Sequence, residues 1–303
     1  MKTLVSVLRH GAPVFLFLLA CALVPRSSFA VGKTGAQFLK IGVGAKARAM
    51  GQAFVALADD ATATYWNPAG LDNSESPSLM GSYFSWFEDM SYQQASLSLP
   101  TSHGCIGAAV SYFTSGDIPL VNTDLNRIGT YDAYDLSGTV AYANHLGNAV
   151  SYGIGIKLIQ MRIEEESATG FAVDFGTIVH IRQIRGLRLG ASVLNLGPDI
   201  KFIEEADPMP VLVRGGAAYR MGPLTLASDV SKPRDNDPSF HFGCEGILAD
   251  VLALRVGFLT RPAIKDALTF GAGIYWKRLT AGYAFVPFEE IEATHCVSVG
   301  IQL

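Results

Sequence analysis

From about residue 77 to the last residue, apolar and polar positions alternate every second residue. Val150, Tyr152, Ile154, Ile156 and Leu158 share one phase, with Ser151, Gly153, Gly155 and Lys157 on the other. A period of two is the mark of a β-strand with unlike faces. Fourteen strands are predicted, at about 77–87, 91–99, 104–114, 135–146, 149–163, 169–181, 186–196, 210–220, 223–231, 237–249, 252–259, 267–277, 278–286 and 293–303. Most approach the roughly 9–11 residues of a tilted transmembrane strand. An even count suits a single-chain barrel with both ends on one side.

The connections alternate in length. Short ones are expected at Pro100–His103, Gly147–Asn148, Arg182–Arg185, Met221–Gly222, Asp250–Val251 and Lys277–Arg278. Longer ones are expected at Ser115–Tyr134, Glu164–Ala168, Gly197–Met209, Lys232–Asp237, Thr260–Asp266 and Pro287–Glu292, while the first hairpin, around Glu88 to Met90, is short where a long loop is due. Outer-membrane barrels have short periplasmic turns and longer extracellular loops.

The faces decide the environment. Phe171, Val173, Phe175 and Val179 oppose Asp174, Gly176 and His180, and Leu187, Leu189, Ala191 and Val193 oppose Arg188, Gly190 and Ser192. Later strands place Arg214, Arg220, Asp229, Glu245 and Arg255 in the second phase. A lipocalin-like barrel alternates in the same way with the faces swapped. Here, however, the second phase is filled with Gly, Ala and Ser (Gly216, Gly243, Gly257, Gly271, Gly273, Gly282) rather than with solvating Lys and Glu. Tyr112, Phe171, Tyr219, Phe240, Phe258, Trp276 and Phe285 lie toward strand ends in the apolar phase, as interfacial girdles require. The reading is an all-β transmembrane barrel, apolar side out, over residues 77–303, with its last strand closing on its first.

Ahead of the strands, Gly35 to Leu71 is rich in Gly and Ala and has neither period. A fourteen-stranded wall lies between barrels filled by their own side chains and open porins, so residues 31–76 are expected to plug the lumen as a hatch. Gly42, Gly44 and Gly51 admit close approach and unusual φ. Asp59 or Asp60 is expected to cap a short helix running through Tyr65. Pro68 ends it by pushing Asn67 out of helical geometry, and Asn67-Pro68-Ala69-Gly70 reads as a turn into the first strand.

Residues 1–30 read as an export signal: Lys2, Arg9 and His10, an apolar run from Gly11 to Val24, then Ser28-Phe29-Ala30 as cleavage site. The alternative, a lipoprotein signal at Leu18-Leu19-Ala20-Cys21, is disfavoured because the apolar run continues past Cys21. Removing the signal takes the formal charge from −4 to −7, which gives no electrostatic footprint for nucleic acid. Cys105, Cys244 and Cys296 form no CxxC pair and read as isolated strand residues. No mature segment holds about 18 consecutive apolar residues, so helical spans are excluded.

The stretch GVGAKARAMGQAFVALADDATATYWNPAGL resembles the N-terminal signature of the PorV/PorQ family, a branch of the FadL-like outer-membrane proteins. SWFEDMSYQQASLSLP (Ser85 to Pro100), LGASVLNLG (Leu189 to Gly197) and AGYAFVPF (Ala281 to Phe288) are similar to that family too. The resemblance implies a fourteen-stranded barrel with a lumenal hatch ending at Asn67-Pro68-Ala69. The FadL class implies passage of hydrophobic or amphipathic small molecules; the PorV branch implies type IX secretion, with secreted cargo protein as partner. No residue chooses between them.

Other chemistry is weaker. Gly42-x-Gly44 lacks the third glycine of a nucleotide loop, Ala47 standing in its place. His103, His145, His180, His241 and His295 are scattered without ligand spacing, so neither metal nor cofactor is expected. No Ser–His pair with an orienting group stands out, and the protein reads as non-enzymatic. The acidic runs Glu164-Glu165-Glu166, Glu204-Glu205 and Glu289-Glu290 read as solvated rim. The inward charges Lys157, Asp174, Arg188, Arg214, Arg220, Asp229, Glu245 and Arg255 are expected to pair with one another and with Lys46, Arg48, Asp59 and Asp60 of the hatch. The expected partners are thus outer-membrane lipid and either a hydrophobic solute or secreted cargo.

Overall fold

The computed structural model describes residues 33–303 apart from 87–89, 124–125, 203–204, 261–265 and 288–292, so the export signal and the tip of the first hairpin lie outside the described residues. Sixteen strands follow a short helical segment: β1 (Ser78–Ser85), β2 (Ser91–Thr101), β3 (Gly104–Val121), β4 (Arg127–Leu146), β5 (Val150–Ile163), β6 (Glu166–His180), β7 (Leu187–Leu196), β8 (Ile200–Phe202), β9 (Glu205–Asp207), β10 (Leu212–Met221), β11 (Leu224–Pro233), β12 (Ser239–Leu248), β13 (Leu252–Leu259), β14 (Ala267–Trp276), β15 (Leu279–Val286) and β16 (Thr294–Gln302). All but β8 and β9 form one closed barrel of antiparallel neighbours. β1 closes on β16 from Ser78↔Gln302 to Ser85↔His295, leaving no edge along that seam.

The apolar phase faces outward. Leu158 is 67% exposed, Val140 62% and Ile156 58%, whereas Asp174 and Glu245 on the other phase are 0% and 2% exposed. Phe171, Phe175, Phe270, Trp276 and Tyr283 are exposed on the outer surface. A cylinder greasy outside and polar within has its low-energy surroundings in a bilayer.

Three expected loops differ. Ser115–Tyr134 is mostly strand: β3 and β4 pair on past Thr114, after a register shift between Thr114 and Asp117 where Gly116 takes φ +66°. The extra residue flips the alternation, which hides the strand from a period-two reading. β2 pairs only as far as Thr114 and β5 only as far as Ala133, so 117–121 and 127–132 rise beyond the wall as a two-stranded ribbon. Glu164 and Glu165 form a tight turn, with Glu164 at φ +56°, rather than a long loop. Gly197–Met209 holds the hairpin β8–β9, whose Ile200 is buried against Gly170 and Gly35.

Residues 34–73 lie inside the cylinder. They form a 3-10 turn (Gln37–Lys40), helix α1 (Ala45–Ala49), helix α2 (Ala63–Trp66) and a second 3-10 helix (Pro68–Asn73). α2 is a single turn. It stops at Asn67, whose φ of −165° and ψ of 104° are the extended geometry imposed by Pro68. Asn67 to Gly70 is therefore no simple turn: Asn67 caps the second 3-10 helix by accepting from the Ala69 amide at 3.2 Å. Asp60 sits two positions too early to cap α2, whose N-cap is Thr62. Its Oδ1 accepts from the Thr62 amide at 2.8 Å and from the Thr62 hydroxyl, and Thr62 makes no side-chain cap of its own. Asp59 points elsewhere.

Candidate functional site

Glycines on the wall form sockets for the inner segment. A Cβ on Gly190 would lie 2.6 Å from the Val55 carbonyl oxygen, and one on Gly243 2.6 Å from that of Met50. The fit is reciprocal at Gly51: φ is +62° and a Cβ would lie 2.6 Å from Phe258 O, so only glycine serves on both counts. Polar side chains of the wall satisfy backbone groups of the segment that has no sheet partner of its own. Asp229 Oδ2 accepts from the Phe54 and Val55 amides at 2.6 and 2.8 Å. Ser298 Oγ accepts from Ala45 N at 2.8 Å, and Thr269 Oγ1 donates to Ala49 O at 2.9 Å. His241 joins Ser231 Oγ (2.8 Å) to Gly51 O (2.8 Å), and Asn67 Nδ2 donates to Val55 O and Thr177 O. These fastenings come from β6, β11, β12, β14 and β16.

The charges divide into two kinds. Lys157 pairs with Asp174 at 3.1 Å and donates to Asn195 Oδ1 at 2.6 Å, while Arg255 pairs with Glu245 at 2.7 Å and reaches the Tyr275 hydroxyl at 2.8 Å. These are bonds within the wall. Crossing to the inner segment, Arg220 reaches Asp59 at 3.4 Å, and Asp59 also holds Lys46 at 2.8 Å. Arg214 lies 4.4 Å from the Trp66 ring centroid, a cation–π contact. Burial acts to lower the Lys46 ammonium, but Asp59, together with Tyr275, Glu245 and Asp60, outweighs it and holds Lys46 above its ordinary value. Burial likewise acts to raise Asp59, and the Lys46 charge and hydrogen bond outweigh it, keeping Asp59 low. Burial and then the neighbouring Asp59 charge push Asp60 up.

At the end of the barrel carrying the longer loops, Asp235 gathers three side chains of the segment's start. Lys40 Nζ lies 2.9 Å from both carboxylate oxygens, Thr34 Oγ1 donates at 2.9 Å and Gln37 Nε2 at 3.1 Å. Burial raises the Asp235 carboxyl, and these three donors outweigh it, leaving it below the usual carboxylate range. Beside this tether opens an upper cavity of about 430 Å³, lined by Phe38, Ile41, Trp86, Met90, Phe113 and Val286, with Lys40, Arg48 and Asp135 as charges. Below the segment, at the short-turn end, a larger cavity of about 630 Å³ is lined by Lys46, Asp59, Asp60, Glu75, Arg220 and Arg255 among other polar groups. One space is greasy; the other is ionic.

Residues 26–221 match the family described as type IX secretion system protein PorV. The chain belongs to the PorV family. No match to a curated protein sequence is found. Among solved structures, this PorV-family chain is similar in fold to the Pseudomonas putida toluene transporter TodX, at 12% identity and a TM-score of 0.65 over 86% of this chain and 97% of that one. It is also similar to the CymD monoaromatic hydrocarbon channel (11%, TM-score 0.65, 86% and 98%) and to a Pseudomonas aeruginosa FadL homologue (9%, TM-score 0.60, 91% and 100%). Family and fold together make it an outer-membrane protein.

The positions singled out in the PorV-family sequence are distributed as follows. Gly44, Gly51, Asn67, Pro68 and Ala69 are buried in the segment, and Gly42 borders the upper cavity. Lys157, Asp174, Arg214, Asp229, Glu245 and Arg255 are buried on the inward phase; Arg188 is half-buried, and Arg220 is exposed at the lower mouth. Among the described residues, only Arg220 of these eight wall charges makes an ion pair with the segment. Asp229 serves backbone amides instead. Asp235 escaped notice because it lies in an ordinary polar loop; His241, grouped above with the scattered histidines, shares the phase of Gly243 and Glu245, which marks it as inward. Cys105, Cys244 and Cys296 are free thiols.

Proposed function

We propose that the protein takes up hydrophobic or amphipathic small molecules at the cell surface, with residues 31–76 acting as a hatch that keeps the lumen shut to ions. The upper cavity carries this reading: six apolar side chains line a space at the loop end, and pockets of that size and character suit small ligands. The fold shared with TodX and CymD supports it. Cleavage after Ala30 and export would set Val31 at the mature N-terminus. The hatch glycines Gly42, Gly44 and Gly51 and residues 59–60 and 67–69 give the plug its seat, and the inward charges stiffen the wall around it. The reading is tested by calorimetry on the detergent-purified protein with toluene and with a medium-chain fatty acid. Saturable binding that is lost in Phe113→Asp supports it; equal, non-saturable uptake by wild type and variant refutes it.

The family match favours a second reading, carriage of secreted cargo in type IX secretion. Its test is a secretome comparison on deletion. Loss of secreted proteins from the surface supports the cargo role, and an unchanged secretome removes it.

A further inference from the structure

The two cavities approach each other along the inner face of β1. Met80 and Ser78 line the lower cavity and Trp86 the upper one. Between them stand Ser82 and Phe84, so the partition spans the six residue steps from Met80 to Trp86, roughly 20 Å. Helix α1 spans the same gap, with Lys46 lining the lower space and Arg48 the upper. The Arg48 guanidinium lies 3.5 Å from the Phe84 ring centroid and donates to Gly42 O at 2.8 Å. Phe84 is buried between Tyr92 on β2 and Cys296 on β16, its register partners. Above it the rings continue, Phe84 to Trp86 at 5.3 Å and Trp86 to Phe113 at 6.4 Å, into the upper cavity. Below it the inward side chains of β1 are small or flexible, and Ser78, Met80 and Ser82 are half-buried rather than packed shut.

Elsewhere the segment is seated by glycine sockets and by hydrogen bonds to its backbone. Sliding it out would break Asp229, Ser298, Thr269 and His241 contacts together. Arg48 and Phe84, by contrast, meet through their side chains, which can turn without moving the backbone of the segment.

We propose that solute passes from the upper to the lower cavity along β1, and that the stacked Arg48–Phe84 pair is the gate that sets which solutes pass while the backbone of the segment stays in place. This rests on the uptake reading above. An apolar solute meets a ring and the face of a guanidinium, groups that accept apolar and aromatic contact. Hydrated ions meet a fixed positive charge and a dry layer. Beyond the gate, hydroxyls and the ionic vestibule favour release.

The test uses the full-length protein in liposomes, in a background with Cys105, Cys244 and Cys296 changed to Ala. Ser82→Cys is labelled with a bulky methanethiosulfonate, and labelling is verified by mass. Delivery of a hydrocarbon probe to a lumenal reporter is expected to fall several-fold after labelling, with probe binding at the upper cavity retained. Phe84→Ala is expected to raise delivery several-fold and to admit small polar solutes that the wild type excludes. Binding with delivery unchanged by the Ser82 label overturns the route, because passage then runs elsewhere. A wild type that binds no probe overturns the uptake reading and the route with it. Lower delivery in Phe84→Ala overturns the gate even if the label blocks. If Phe84→Ala fails to assemble, the Ser82 label decides alone.

Discussion

Removing the Asp229 carboxylate offers the sharpest measure of how the lumenal segment is held. In Asp229→Ala, the Phe54 and Val55 amides, now bound at 2.6 and 2.8 Å, lose their acceptor in a site closed to solvent. A buried donor left without its acceptor costs about 1–3 kcal/mol, so two stranded amides amount to about 2–6 kcal/mol. At about 1.4 kcal/mol per factor of ten, local opening around 53–56 should rise by about one to four orders of magnitude. Asp229→Asn keeps an acceptor oxygen and removes the charge, so its effect should be much smaller. Hydrogen exchange read by mass spectrometry over residues 50–58 measures the opening, and heat-modifiable migration in gels verifies that the barrel itself is closed. Exchange in Asp229→Ala within about twofold of wild type, with the barrel intact, would show that the carboxylate does not fasten the segment.

Neighbouring positions on β5 should both be destabilised, for opposite reasons. Leu158→Arg places a charge in lipid and should cost about 2–4 kcal/mol near the bilayer midplane, read as lost folded yield in vesicles; Lys157→Met strands Asp174 inside and should cost about 3–5 kcal/mol in urea titration. The Asp235 tether has an acid limit. Its folded value is depressed, so its contribution is complete above the ordinary carboxylate range and is lost as pH falls through the folded value. Proteolysis within 33–41 should therefore accelerate only below about pH 4, and Asp235→Asn should be cut readily at neutral pH. Asp60 has the opposite sign: its raised value penalises the charged form at neutral pH, so Asp60→Asn should leave thermal stability unchanged or higher. Gly190→Val forces a side chain into the Val55 carbonyl and should cost about 1–3 kcal/mol or unseat the segment, seen as faster exchange at 53–57.

The wall was legible because its two faces meet different solvents, and period-two patterning records that difference directly. Strand number, closure and the outward phase all follow from it. The β3–β4 ribbon was not legible: a single bulge at Ser115-Gly116 reverses the phase, and beyond the bilayer both faces are wet. The inward charges were recognised as a set, but their partners were not, because pairing depends on register between strands distant in sequence. Asp229 illustrates the gap. Its side chain answers two amides of a segment more than half the chain away, and no local pattern encodes that. Asn195, at φ +61° beside Lys157 and Asp174, is invisible for the same reason.

The seam between β1 and β16, where the Leu303 amide meets the Pro77 carbonyl, also dictates an order of events. The first and final staves of the cylinder are partners, so closure brings together chain separated by nearly the whole wall, the slowest kind of contact to form. The portion that ends up at the centre is made before any of the wall that will surround it. Gly190, Gly243 and Gly257 leave no room for a Cβ against that portion, so content and container fit only as a pair. A defect in the Gly and Ala face of that content should then appear as a failure to close rather than as a leak in a finished vessel.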